Sequence, residues 1–129
     1  MRRIGVVVHG VTGRMGDMAR RSLQEIAASG GVEAGGERWV PVPIGLGRDR
    51  ARLESYGREA GLDHTATELP AAMEIARRIE PAHQLYHCCV STGAKAGALA
   101  DALALLDPAT TGVFQEKPLA GNYREGLRI

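Results

Sequence analysis

The chain has 129 residues, enough for about one domain. Sixteen Lys plus Arg against fifteen Asp plus Glu leave a formal charge of +1, so no electrostatic field argues for a nucleic-acid or acidic-membrane partner. A hydrophobic fraction of 44% and a charged fraction of 24% exclude a disordered chain, and one Phe, one Trp and three Tyr leave the core to aliphatic residues.

Ile4 to His9 is a Val-rich apolar run, the pattern of a strand buried on both faces. Met15, Met18, Ala19, Leu23, Ile26 and Ala27 then recur at helical spacing, and Gly30 and Gly31 end that helix. A polar, glycine-rich loop is expected up to Arg38. Trp39 to Leu46 reads as a second strand, with Pro41 and Pro43 placed at its beginning or on an unpaired side. Arg50 to Ala60 is a charged surface helix closed by Gly61, and His64 to Ala66 a short strand. Pro70 opens a helix with Met73, Ala76 and Ile79 as its buried stripe. Gln84 to Val90 is strand-like, and Leu99, Leu103 and Leu106 mark the inner face of a helix stopped by Asp107-Pro108. Thr111 to Gln115 is the last strand, and Leu119 to Leu127 begins another helix.

The order βαβαβαβαβ, with connections too long for hairpins, implies an α/β fold: a doubly wound parallel sheet of the Rossmann type, in three α/β/α layers. A ligand of such a sheet sits beyond the carboxyl ends of the strands, where the strand order switches. No apolar stretch reaches the roughly 18 residues of a membrane span, and the start lacks the long apolar region of a signal peptide. The adjacent Cys88 and Cys89 make no disulfide framework, so a cytoplasmic protein is expected. On a strand Cys88 points away from His87 and Cys89, and with His83 these residues do not complete a metal site. Ser91 and Lys95 have the spacing of a Ser–Lys nucleophile, but capping of the following helix by Ser91 or Thr92 is the simpler account.

The first strand runs into Gly10-Val11-Thr12-Gly13-Arg14-Met15-Gly16 and then directly into the first helix. Glycines at 10, 13 and 16 form G-x-x-G-x-x-G, one residue looser than the usual dinucleotide fingerprint. A tight turn needs freedom from Cβ crowding, and close approach to a pyrophosphate needs bare backbone. The helix start adds N–H donors and the positive end of its dipole. No Gly-Lys-Ser/Thr follows, which excludes a Walker phosphate loop. At the end of the second strand, Gly47 and Arg48 are expected at the adenosine ribose. A guanidinium there suits a 2′-phosphate, so NADP is preferred over NAD. Asp49 is either a ribose ligand or a helix cap.

The segment Val113-Phe114-Gln115-Glu116-Lys117-Pro118-Leu119-Ala120, together with the glycine turn, resembles the glucose–fructose oxidoreductase/inositol dehydrogenase (Gfo/Idh/MocA) family. The resemblance covers essentially the whole chain, but only the amino-terminal half of a typical member. It implies an oxidoreductase that moves a hydride between a nicotinamide dinucleotide and a sugar, cyclitol or related hydroxyl or carbonyl substrate. Lys117 would be the catalytic residue near the nicotinamide, with Glu116 at the nicotinamide ribose and Pro118 aiming the lysine. Ser91 and Thr92 would contact cofactor, although Thr92-Gly93-Ala94 departs from the family's Thr-Pro-Asn and Gly97 stands where a histidine is usual. The family's acid–base residues lie in a second domain, which residues 1–129 do not supply. Oligomers are therefore expected only with that domain, and catalysis by this chain alone is not. Gly13-Arg14-Met15-Gly16 also resembles dihydrodipicolinate reductase, the alternative NAD(P)H enzyme. A non-catalytic nicotinamide-nucleotide sensor is the contrasting class. Tyr56, Tyr86 and Tyr123 lack a lysine at i+4, which excludes the short-chain dehydrogenases.

Overall fold

Val6, Val7 and Val8 are each at most 4% exposed, because β1 (Arg2–His9) lies in the middle of a sheet with helices on both sides. The computed structural model describes residues 1–115, 124 and 127. In chain order β1 is followed by α1 (Arg14–Ala28), β2 (Val32–Ala34), β3 (Glu37–Leu46), α2 (Arg50–Ala60) and β4 (His64–Ala66). Then come α3 (Leu69–Ile79), β5 (Gln84–Cys88), α4 (Thr92–Leu105) and β6 (Thr111–Gln115).

The sheet order is β2-β3-β1-β5-β6, with β4 also paired to β3. All pairings are parallel except β2 with β3. The chain thus builds outward from β1 through β3 to β4, then returns to β5 on the opposite side of β1 and continues to β6. Side chains alternate across this sheet. Val7, Ile44, Leu46, Tyr86 and Cys88 meet Ala72, Met73 and Ala76 of α3 and Leu99 and Ala102 of α4. Val6, Val8 and Cys89 meet Leu53 of α2 and Ala19 and Leu23 of α1. The result is a mixed α/β architecture with a mostly parallel sheet and helices on both faces.

Several local features follow from residue type. Gly30 and Gly31, at φ +98° and +87°, end α1 in a Schellman arrangement: their N–H groups bond to the Ala27 and Ile26 carbonyls at 3.1 and 2.9 Å. Pro41 and Pro43 fall where β3 has β1 on one side only, since pairing with β2 stops at Trp39 and pairing with β4 starts at Ile44. The missing N–H groups therefore leave no gap in the ladder.

Three expectations need correction. Residues expected as a loop before Arg38 form an antiparallel hairpin, β2 with the start of β3, turning on Gly35 and Gly36 at φ +58° and +79°. Met15 and Met18 are 40% and 53% exposed, because Gly16 rather than a methionine must face the strand. The inner stripe of α1 is accordingly Gly16, Ala19 and Leu23. Leu103 is 42% exposed, and the buried face of α4 is instead Lys95, Ala96, Leu99 and Ala102. The helix expected from Leu119 lies outside the described residues.

Candidate functional site at the carboxyl edge of the sheet

The strand register puts His9, Leu46, Ala66, Cys88 and Gln115 level with one another, so five parallel strands end along one edge. The loops carrying the expected site residues leave from that edge. The strand order reverses between β3 and β5, on either side of β1. The glycine turn sits at this reversal.

Each glycine of the turn has a different reason. Gly10 has φ +80°, and a Cβ there would meet the Cys89 carbonyl oxygen at 3.0 Å where β5 ends beside it. At Gly16 an added Cβ would lie 2.1 Å from the Gly10 carbonyl oxygen, so only glycine lets α1 start this close to its own strand. Gly13 is exposed and nearly unobstructed, its added Cβ meeting only the Gly10 oxygen at 3.4 Å. Nothing but bare backbone therefore separates solvent from the start of α1. Gly13 is also the N-cap residue of that helix, without a side chain to bond the first-turn N–H groups.

Gly10 and Val11 both donate their N–H groups to the Leu46 carbonyl, at 2.9 and 3.3 Å, which pins the turn to the end of β3. The Val11 side chain is fully buried. Val11 thus shapes the turn and presents no side chain to a ligand. Thr12 is half-buried, whereas Arg14 and Met15 are exposed.

On the β3 side, the Gly47 N–H extends pairing to the Ala66 carbonyl at 3.3 Å, and Arg48 is exposed. Asp49 takes up the capping role. Its carboxylate Oδ1 accepts the Arg52 N–H at 3.1 Å as the N-cap of α2. Arg48 lies close enough to His9 to act on it: burial first, then the Arg48 charge, hold the His9 imidazole below its ordinary value. The His9 Nδ1 is 2.7 Å from the hydroxyl of the fully buried Tyr86. Burial foremost, with Cys88 adding to it, pushes the Tyr86 hydroxyl far up, so the pair is neutral.

Sequence reasoning missed the residues that tie α1 to α2. Arg52 Nη2 donates to the Thr12 carbonyl at 3.4 Å. One turn along, the Tyr56 hydroxyl donates to Asp17 Oδ1 at 2.7 Å and accepts from Arg20 Nε at 3.0 Å. A further turn along, Gln24 Nε2 donates to the Ala60 carbonyl at 2.9 Å. Positions 52, 56 and 60 are spaced four apart, which places them on one side of α2. The Tyr56 and Arg20 hydrogen bonds hold the Asp17 carboxyl below its ordinary range. No local pattern announces these contacts, since the partners are 36 to 40 positions apart.

On the β5 side the Cys89 N–H bonds to the His9 carbonyl at 2.9 Å, which brings the end of β5 against the glycine turn. Ser91 is exposed and is the N-cap residue of α4, but its side chain makes no cap hydrogen bond, contrary to the expected capping role. Thr92 opens α4. Lys95, one turn on, is only 2% exposed, whereas Ser91 is exposed. His87 packs edge-on against Phe114 at 4.6 Å. Glu116, Lys117 and Pro118 lie outside the described residues; Gln115, just before them in sequence, is level with Cys88.

Among the described residues, no helix is long and apolar enough to cross a membrane. No family model matches the chain, and no curated protein matches it either.

Proposed function

We propose that this chain is a Rossmann-type domain that binds a nicotinamide dinucleotide, NADP in preference to NAD, in an oxidoreductase of the Gfo/Idh/MocA kind. The observation that carries the reading is the turn Gly10 to Gly16. It joins a central strand to a helix at the point where strand order reverses, and the close contacts of Gly10 and Gly16 leave Gly13 as an open backbone approach. The parallel strands lie in the order β4-β3-β1-β5-β6, the arrangement common among dinucleotide-binding sheets.

The residues present fit such a group. Glycine backbone and the start of α1 would hold the pyrophosphate, and Arg48 the 2′-phosphate. One carboxylate oxygen of Asp49 is already engaged in capping α2. A bound nicotinamide dinucleotide accepts or supplies a hydride. Lys117, in this reading, holds the hydroxyl or carbonyl oxygen of a sugar or cyclitol and steadies the charge that develops there, with Glu116 at the nicotinamide ribose and Pro118 restricting the lysine.

Calorimetric titration with NADPH and NADH separately tests the cofactor reading. Tighter binding of NADPH is expected. Equal affinity, or tighter NADH, would overturn the role of Arg48, and binding of neither would overturn the cofactor reading altogether.

A further inference from the structure

Beyond Arg48, a second guanidinium reaches the adenosine side of the proposed site. Arg52 belongs to the first turn of α2, yet its Nη2 crosses to the Thr12 carbonyl of the glycine turn at 3.4 Å. That distance is at the outer limit for a hydrogen bond, so the carbonyl is a weak hold on an exposed guanidinium. Arg48, Arg50 and Arg52 make no ion pair among the described residues. Arg3, Arg14 and Arg58 likewise make none, whereas Arg2, Arg20, Arg21, Arg38, Arg77 and Arg78 do. Two acids of this region are engaged: Asp49 caps α2, and Asp17 is held by Tyr56, Arg20 and Arg21. Arg48 and Arg52 thus place two guanidinium groups, neither in a salt bridge among the described residues, near the glycine turn's junction with β3.

We infer that Arg52 is a specificity-determining strap. It releases the Thr12 carbonyl and, with Arg48, grips the phosphate on the adenosine ribose of a phosphorylated dinucleotide. The Tyr56–Asp17–Arg20 contact one turn further along α2 holds the helix in place, so the strap requires only a side-chain movement. A guanidinium suits this role because its fork matches two phosphate oxygens while its flexible stem spans both positions. Arg52 so placed would link the turn that receives the pyrophosphate to the end that receives the 2′-phosphate. The inference rests on the dinucleotide-binding reading above, and the experiment separates the two.

Wild type, Arg52→Ala, Arg52→Lys and the control Arg58→Ala, at the far end of the same helix, are titrated with NADPH, NADH, adenosine 2′-monophosphate and inorganic phosphate. The expected result for Arg52→Ala is about a 10-fold or greater loss of affinity for NADPH and adenosine 2′-monophosphate, with NADH unchanged. Arg52→Lys should fall between Ala and wild type, and Arg58→Ala should match wild type. If wild type prefers NADPH but Arg52→Ala weakens both dinucleotides equally, or neither, the strap is wrong and the binding reading stands. Inorganic phosphate competing as well as adenosine 2′-monophosphate would make the site a general anion trap and overturn the specificity claim. If wild type binds neither dinucleotide, both the strap and the reading beneath it fall.

Discussion

Against one face of the sheet, α3 and α4 pack through Ala72, Met73, Ala76, Leu99 and Ala102, while against the other α1 and α2 are also laced together by Asp17, Arg20, Gln24, Tyr56 and Arg52. The apolar face gains stability from area and closeness: at Gly5 an added Cβ would meet the Ala76 Cα at 2.8 Å, so α3 lies almost on the backbone of β1. Apolar contact is non-directional, whereas the hydrogen bonds of the polar lacing fix direction as well as distance. The lacing begins at the glycine turn, with the Arg52–Thr12 contact, and continues along both helices. The difference suggests a division of labour, with one face supplying bulk cohesion and the other the register of the site.

Two glycine substitutions test that division most severely. Gly16→Ala drives a methyl group to 2.1 Å from a carbonyl oxygen of its own turn, where nothing can move without breaking the bonds of Gly10 and Val11 to Leu46. A loss of about 3 kcal/mol in urea unfolding is expected, at the severe end of overpacking. Gly5→Ala meets the Cα and Cβ of Ala76 at 2.8 and 2.9 Å, a less severe overlap, and about 1–2 kcal/mol is expected. If Gly5→Ala proves the more damaging, the apolar face is the rigid one and the comparison is reversed.

A smaller effect is expected at the lacing itself. Tyr56→Phe keeps the ring and removes only the hydroxyl bonded to Asp17 and Arg20. The contact is half-buried, so a loss of about 1 kcal/mol is expected by the same unfolding measurement. No measurable change would mean that water replaces the hydroxyl without consequence, and that burial alone holds α2.

These two regions were also unequally legible in the sequence. The glycine turn was visible because its backbone admits only one residue type at Gly10 and Gly16, so the constraint is written locally. Gly61 closing α2 in the left-handed region at φ +70° was visible for the same reason. The hairpin of β2 was not: its three exposed residues, Val32, Glu33 and Ala34, are too few to display alternation, and Gly35-Gly36 was its only signal. The inner stripe of α1 was misplaced toward Met15 and Met18 because hydrophobicity alone cannot reveal that the strand contact demands the absence of a side chain at Gly16. The capping role of Asp49, one of two left open, needed the helix boundary to be seen. Arg52 and Tyr56 read only as surface residues of a charged helix, since their partners are set by the crossing of two helices rather than by spacing along one.

The smallest predicted effect concerns His9, which borders the proposed site but packs on the α3 and α4 side through Tyr86. Burial and then Arg48 favour its neutral form, so the unfolded chain takes up the proton first on acidification. Its contribution is therefore fully present above the ordinary histidine value near pH 6.5 and declines as pH falls through that value toward the lower folded one. His9→Asn removes this dependence, and the difference between the two proteins isolates it. The stability of wild type relative to His9→Asn should accordingly shrink between pH 8 and about pH 5.5. Widening over that interval would mean that the folded protein draws a proton onto His9, against the field of Arg48. The group would then behave as a charged member of the lacing side, and Tyr86 would be its acceptor rather than its neutral neighbour. Asp17 does not confuse the result, because its carboxyl is held below the ordinary carboxylate range and its contribution is lost only at more acidic pH.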